Sequence, residues 1–291
     1  MKNILIIGAT GNVGSKVVRS LIKRKRSIKA AVRNFKKAEK LGLDDVDLVE
    51  FDYQKSETFK NAFNDVDKVL FIAPPLDSNA FNLLKPAIDF AIKKKTKHIV
   101  VLSALGVDVS DEIPLRKIEL YVKSSGIPYT FIRPNSYMQN FTIGFLSQGV
   151  LENGVIRLPA GNGKTSFIDA RDIAEVIATI LTEKGHSNKE YNLTGPEALD
   201  HNEIASKLSD SLDKDVIYQD ISEEDLRETL ETQGVPEDKI EFMLSLYRPV
   251  KGGFTGTLTN DVERIIGRKP FFFDQFIRDF VERTMPSISN S

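Results

Sequence analysis

The chain has 291 residues, of which 41% are hydrophobic and 28% charged, with a net charge of −1 and no cysteine. This balance gives no electrostatic footprint for nucleic acid, and the missing cysteines remove disulfides, metal thiolates and a thiol nucleophile. The three histidines, His98, His186 and His201, lie far apart in sequence, so no metal site is expected.

The length exceeds that of one ordinary domain, and one large or two closely packed domains are expected. No apolar run approaches the ~20 residues that span a bilayer. Met1-Lys2 is too short a lead for a signal peptide, so the reading is a cytoplasmic protein with no membrane segment.

The chain opens on a β-branched run, Ile4 to Ile7, expected to be a strand buried on both faces. Gly8-Ala9-Thr10-Gly11-Asn12-Val13-Gly14 follows, and then Val13, Val17, Val18, Leu21 and Ile22 recur at helical spacing. Strand, glycine-rich turn and helix form the first unit of a dinucleotide-binding fold. Gly8 permits the turn, Gly11 lets the backbone approach a pyrophosphate, and Gly14 lets helix and strand pack closely. The anion is expected at the helix N-terminus, with Thr10, Asn12 and Val13 completing the contact set.

Strands and helices then alternate, which implies a parallel sheet covered on both faces. Strands are expected at Ile28 to Arg33, Asp47 to Asp52, Lys68 to Ala73, His98 to Ser103 and Tyr129 to Arg133, the last ended by Pro134. Helical segments fall at Ser56 to Phe63, at Ser78 to Lys95 with a kink expected at Pro86, and at Leu115 to Ser124. Right-handed crossovers give the doubly wound order 3-2-1-4-5-6.

After about Tyr137 the alternation breaks. Gly149, Gly154, Gly161 and Gly163 separate short extended pieces, a helix runs from Ile173 to Thr182, and Tyr191 to Thr194 reads as a strand. The remainder is mainly helical, around one strand from Val216 to Ile221. The expected fold is α/β: a Rossmann-type doubly wound parallel sheet with a smaller, mainly helical C-terminal substrate domain. Its boundaries are read as 1–136 and 137–285, part of 165–197 returning to the first domain and 286–291 forming a disordered tail.

The second strand ends in Ala31-Val32-Arg33-Asn34, where an NAD-specific unit usually carries an acid. Arg33 can pair with a 2′-phosphate and a carboxylate would repel one, so NADP(H) is preferred over NAD(H). A solvated basic turn is the competing reading. Asp52 is either an acceptor for the adenine amino group or a strand-ending cap. Ala73-Pro74-Pro75 either lines the adenosine ribose and diphosphate or makes a stiff turn. His98 reads as a surface residue, Asp172 as the cap of the helix after it, Asp200 as the cap of the helix holding Glu203, and His201 receives no functional role.

The spacing G-x-x-G-x-x-G resembles that of extended and atypical short-chain dehydrogenases/reductases. Ser124-Ser125-Gly126-Ile127-Pro128-Tyr129-Thr130-Phe131-Ile132-Arg133-Pro134-Asn135, then Tyr137-Met138-Gln139-Asn140-Phe141, resembles the NmrA-like group. So do Phe167-Ile168-Asp169-Ala170-Arg171-Asp172-Ile173-Ala174 and Tyr191-Asn192-Leu193-Thr194-Gly195-Pro196. The resemblance implies an NAD(P)H-dependent reductase of quinones, azo dyes or triphenylmethane dyes. The same group contains NADP-binding redox sensors without turnover, which is the alternative.

By the resemblance, Ser103 holds the place of the family serine, and Ser103 with the segment Pro134 to Tyr137 lies by the nicotinamide. Asn135 is then a candidate partner of the carboxamide. Tyr137, Met138 and Phe141 are candidates for an apolar wall against a flat aromatic substrate, with core packing as the other reading. No Tyr-x-x-x-Lys pair follows Ser103, and the position where many of these reductases carry His or Lys is Leu115. The candidate catalytic residues are therefore Ser103, Lys117 and Tyr137, and a monomer and a homodimer stay equally open.

Overall fold

A computed structural model describes residues 3–43 and 46–284; the tail reading for 286–291 lies outside the described residues. In chain order its strands are β1 Asn3–Ile7, β2 Ile28–Val32, β3 Asp47–Glu50, β4 Val66–Ile72, β5 His98–Leu102, β6 Tyr129–Pro134, β7 Val155–Leu158, β8 Lys189–Leu193 and β9 Ile217–Asp220. The helices are α1 Asn12–Lys23, α2 Phe35–Lys40, α3 Phe59–Ala62, α4 Ala80–Lys93, α5 Pro114–Ser124, α6 Ala170–Thr182, α7 His201–Leu212, α8 Glu223–Thr232, α9 Glu237–Lys251, α10 Asp261–Ile266 and α11 Phe273–Thr284. The chain divides into two compact units. Among the described residues the first comprises 3–43, 46–134, 170–193 and 264–266, and the second 135–169, 194–263 and 267–284.

The first unit is built on a parallel seven-stranded sheet in the order β3-β2-β1-β4-β5-β6-β8. The expected order is present, with β8 added beside β6 through the register Ile132 to Tyr191. Because side chains alternate along a strand, β1 sends Leu5 and Ile7 into a core shared with Leu84 and Ile88 of α4 and Ile118 and Val122 of α5. On the other face α1 packs against α6, where Ser20 Oγ and the Arg24 guanidinium both reach the Glu175 carboxylate. Helix α4 continues through Pro86 from Ala80 to Lys93.

Three polar positions differ from their sequence readings or extend them. His98 is buried, not on the surface, and its Nε2 lies 2.8 Å from Thr130 Oγ1. The Thr130 hydroxyl spends its hydrogen on the His186 carbonyl at 2.6 Å, so His98 Nε2 is the donor. Asp172 is not a cap: α6 starts two residues earlier, at Ala170, and Asp172 lies fully buried in its first turn. Arg133 on β6 makes a paired contact with the buried Glu119 of α5, at 2.9 and 2.6 Å, and reaches Glu190 of β8 at 2.8 Å. Fixed ionic partners of this kind lock strand to helix, and removing one alone would leave a buried charge.

The second unit carries the two-stranded parallel sheet β7-β9 and the helices α7, α8, α9 and α11. Gly149–Asn153 forms a helical turn where extended chain was expected. Asp200 caps α7 with a reciprocal pair, its carboxylate accepting from Glu203 N at 2.9 Å while Glu203 accepts from Asp200 N at 2.8 Å. Phe273, Phe276 and Phe280 are buried as packing of α11, whereas Phe272 is exposed.

Two buried histidines make stability depend on pH. Burial, the largest cause in each case, pushes His98 and His201 down to about 4, against ~6.5 for an unfolded histidine. Between those values the unfolded chain binds more protons. Stability therefore rises with pH from about 4 to about 6.5 and is lost as pH falls through that window. The thermal midpoint is expected to fall on acidification, and His98→Gln is expected to flatten that slope; equal slopes in the two proteins would refute the assignment.

Candidate cofactor and active site

The loop between β1 and α1 is shaped by its glycines. Gly8 has φ +82°, in the left-handed region that favours glycine. A Cβ on Gly14 would stand 2.1 Å from the Gly8 carbonyl oxygen, so only glycine lets α1 start this close to the turn. Gly11 is extended and is the N-cap of α1, and no side chain caps the helix. Its first-turn N–H groups, Asn12 and Val13 included, thus keep their capacity for an anion, with the positive end of the helix dipole behind them. The Asn12 side chain itself accepts from Lys16 Nζ at 2.7 Å.

The other cofactor candidates of this unit lie at the carboxyl ends of neighbouring parallel strands. Arg33 directly follows β2, is exposed, and has no hydrogen-bond or ion-pair partner among the described residues. Asn34 caps the short α2 by accepting from Lys37 N at 3.1 Å, which places Lys36 and Lys37, also exposed, in the turn after Arg33. Asp52 uses one carboxylate oxygen for its own turn, accepting from Gln54 N at 3.0 Å. Ala73 and Pro74 are half-buried after β4 and Pro75 is exposed, while the Tyr53 hydroxyl donates to the Ile72 carbonyl and steadies the strand end.

Ser103 follows β5. Its N–H donates to the Ile132 carbonyl at 2.7 Å, yet its hydroxyl oxygen is buried without a hydrogen-bond partner, the residue being 4% exposed. Leaving such a group unanswered costs about 1–3 kcal/mol. Orphaned buried hydroxyls at a sheet's carboxyl edge are what a bound polar ligand would satisfy. Together, an uncapped helix start, a glycine that nothing else can replace, an unpaired guanidinium after β2 and an unanswered hydroxyl after β5 fit a phosphorylated dinucleotide.

The remaining candidates are less available. Lys117 on α5 is held by the exposed Glu112, 2.6 Å away, in a pair open to solvent. Leu115 packs against the sheet core. In the second unit Tyr137 bridges to Ile168, and burial pushes its phenol well above the usual range, so it stays protonated. Asn135 donates both amide hydrogens, to Ser166 Oγ and to the Thr255 carbonyl, each at 2.8 Å. Only an Oδ1 lone pair remains for a ligand, because Ser136 N already donates to that oxygen. Met138 and Phe141 are fully buried; Met138 is core, whereas Phe141 also lines a cleft of the second unit.

That cleft is a feature the sequence reading did not anticipate. It is lined by Ser136, Phe141, Phe145, Phe167, His201 and Tyr247, among others. His201 and Tyr247 come from separate helices, α7 and α9, and no local motif announces them.

Sheet order, loop and strand-end residues together define a dinucleotide-binding protein of the Rossmann class. The chain belongs to the NmrA-like family, whose pattern matches residues 1–269. It is 33% identical over 279 residues to the NAD(P)H azoreductase of Xenophilus azovorans, covering 94% of this chain and 96% of that protein. Among solved structures, it is similar to the triphenylmethane reductase of Citrobacter sp. complexed with NADP(H), with TM-score 0.82, 30% identity and coverage of 95% and 99% of the two chains. It is likewise similar to the NADPH-dependent quinone oxidoreductase QOR2 of Escherichia coli complexed with NADPH, with TM-score 0.83, 28% identity and the same coverage. No helix among the described residues is long and apolar enough to cross a membrane.

Proposed function

We propose that this NAD(P)H-dependent oxidoreductase of the NmrA-like family prefers NADPH and reduces a quinone-like or azo aromatic acceptor. The observation that carries the reading is the uncapped glycine loop together with the unpaired Arg33 after β2. The named activities of the similar azoreductase, quinone oxidoreductase and triphenylmethane reductase support the acceptor class. NADPH, when bound, supplies a hydride, and reduction of a quinone to its hydroquinone takes up one proton besides.

The chain's own part is binding and orientation. The α1 amides hold the pyrophosphate, Arg33 the 2′-phosphate, and the Ser103 hydroxyl donates to a polar atom of the ligand. None of the three catalytic candidates is poised as an acid: Ser103 is a hydroxyl without a base, Lys117 is paired with Glu112, and the Tyr137 phenol is stabilised in its protonated form. Acceptors that are reduced readily need mainly positioning, and water can deliver the proton.

The same absence of an acid favours a second reading, a redox sensor that binds NADP(H) without turnover. The two separate in one experiment. NADPH oxidation is followed with panels of quinones, azo dyes and triphenylmethane dyes, alongside binding of NADPH and NADP+. Turnover with at least one acceptor class is expected. Tight NADPH binding with no turnover and a large affinity difference between the two redox forms would transfer the assignment to the sensor.

A further inference from the structure

The second unit holds a cleft in which two nearly buried polar side chains make no hydrogen bond among the described residues. His201 is 3% exposed, and its Nδ1 is buried without a hydrogen-bond partner. Tyr247, on α9, is 7% exposed and its hydroxyl makes no hydrogen bond among the described residues. Both line the cleft. The neighbouring Tyr218 shows the contrast. Its ring packs 5.2 Å from the His201 ring, yet its hydroxyl donates to the Leu158 carbonyl or Asp220 and accepts from Ala160 N. Nothing among the described residues of this unit does the same for His201 Nδ1 or the Tyr247 hydroxyl.

Packing alone does not account for the pair. A phenylalanine at position 201 would fill the same space without leaving a buried nitrogen unpartnered, and one at position 247 would do so without placing an unpartnered hydroxyl on the cleft. The imidazole is held rigidly, because His201 is the first residue of α7 and the Asp200–Glu203 capping pair fixes that helix start. Burial keeps the imidazole neutral at ordinary pH and the Tyr247 phenol protonated. The two groups can therefore offer uncharged hydrogen bonds and no charge.

The walls define the rest of the ligand. Phe141 meets Phe167 edge-on at 5.3 Å, and Phe145 meets Tyr247 edge-on at 6.5 Å. Such faces suit a flat aromatic ring. No Lys, Arg, Asp or Glu lines the cleft, so a charged ligand would find no counter-charge. The space available to the centres of water-sized molecules is about 60 Å³. At about 10–15 Å³ per water by that measure, this holds roughly four to six waters, the room of one six-membered ring.

We propose that this cleft binds a neutral single-ring aromatic carbonyl or phenol, its oxygen held by the Tyr247 hydroxyl and the His201 imidazole. That it seats the electron acceptor or its reduced product rests on the quinone-reductase reading; that it binds such a ring does not. His201 and Tyr247 are binding residues here, not acids.

The test uses the full chain free of NADP(H), with 4-methylphenol as probe and toluene, which lacks the oxygen, as control. Binding is read in NMR titrations from shifts of the Phe141 and Phe145 ring signals, which line the cleft in every variant, and in the parent also from the His201 ring nitrogens. The phenol is expected to bind at least about tenfold tighter than toluene and to shift the His201 resonances. Tyr247→Phe and His201→Phe keep an aromatic ring and should narrow the difference to less than about threefold. Val250→Phe, which fills the cleft, should remove both ligands while thermal melting reports an intact fold. Equal affinities for phenol and toluene, or a preference untouched by both ring-conserving variants, would overturn the site. If the phenol binds as expected but no quinone is reduced, the acceptor reading fails and the site stands. Reduction of quinones with Michaelis constants unchanged in both variants would exclude the cleft as the acceptor's seat.

Discussion

Gly14→Ala is expected to raise the dissociation constant for NADPH at least about 100-fold and to lower the melting temperature of the free chain. The new methyl would lie 2.1 Å from the Gly8 oxygen, 2.8 Å from the Gly8 carbonyl carbon and 3.1 Å from Ala9 Cα. All three are backbone atoms, and no side chain can swing aside to make room. Either α1 backs away from the turn or the turn opens, and both displace the amides meant for the pyrophosphate.

Gly11→Ala separates binding from folding. Its extended backbone suits any residue, and a Cβ there meets only the Gly8 oxygen, at 3.2 Å. The free protein should therefore melt almost as the parent does, while NADPH binding weakens at least about tenfold because the methyl stands where the ligand must approach. Calorimetric titration and thermal melting check the pair. Undiminished NADPH affinity in both variants would place the cofactor away from this loop.

What the sequence made legible follows the range over which the determining contacts act. Strand β1, the three glycines and the start of α1 lie within a dozen or so residues, and their roles are set by neighbours along the chain. The strand order could be read because crossovers of a parallel sheet have one hand. His98 was misread for the opposite reason. A histidine opening a strand looks like a surface residue until Thr130 and the His186 carbonyl, 32 and 88 positions further on, arrive to cover it. Asp172 has a cap-like context, yet α6 starts at Ala170 and takes the aspartate inside its first turn. His201 and Tyr247 share a cleft across a long sequence interval, with no spacing that periodicity could detect. Local chemistry thus announced the glycine loop, whereas the side chains of the cleft are brought together from distant helices only by tertiary packing.

Arg33→Ala is expected to weaken NADPH binding about 10- to 100-fold while changing NADH binding less than about threefold. The estimate rests on a charge-assisted hydrogen bond contributing roughly 1.5–3 kcal/mol. It applies because the Arg33 guanidinium has no partner to lose among the described residues, so mutation removes a ligand contact without breaking an ion pair described in the fold. Melting of the free variant should match the parent for the same reason. The guanidinium is exposed, and salt will screen the contact. The NADPH-to-NADH affinity ratio of the parent should therefore shrink as ionic strength rises, and that of the alanine variant should respond less, retaining only the long-range attraction of Lys36 and Lys37. Arg33→Asp goes further, because a carboxylate repels a 2′-phosphate and can accept from a 2′-hydroxyl; its preference should reverse toward NADH. Equal losses for both nucleotides on Arg33→Ala would assign the guanidinium to the shared adenosine half, and cofactor choice would then have to come from elsewhere in the β2–α2 turn.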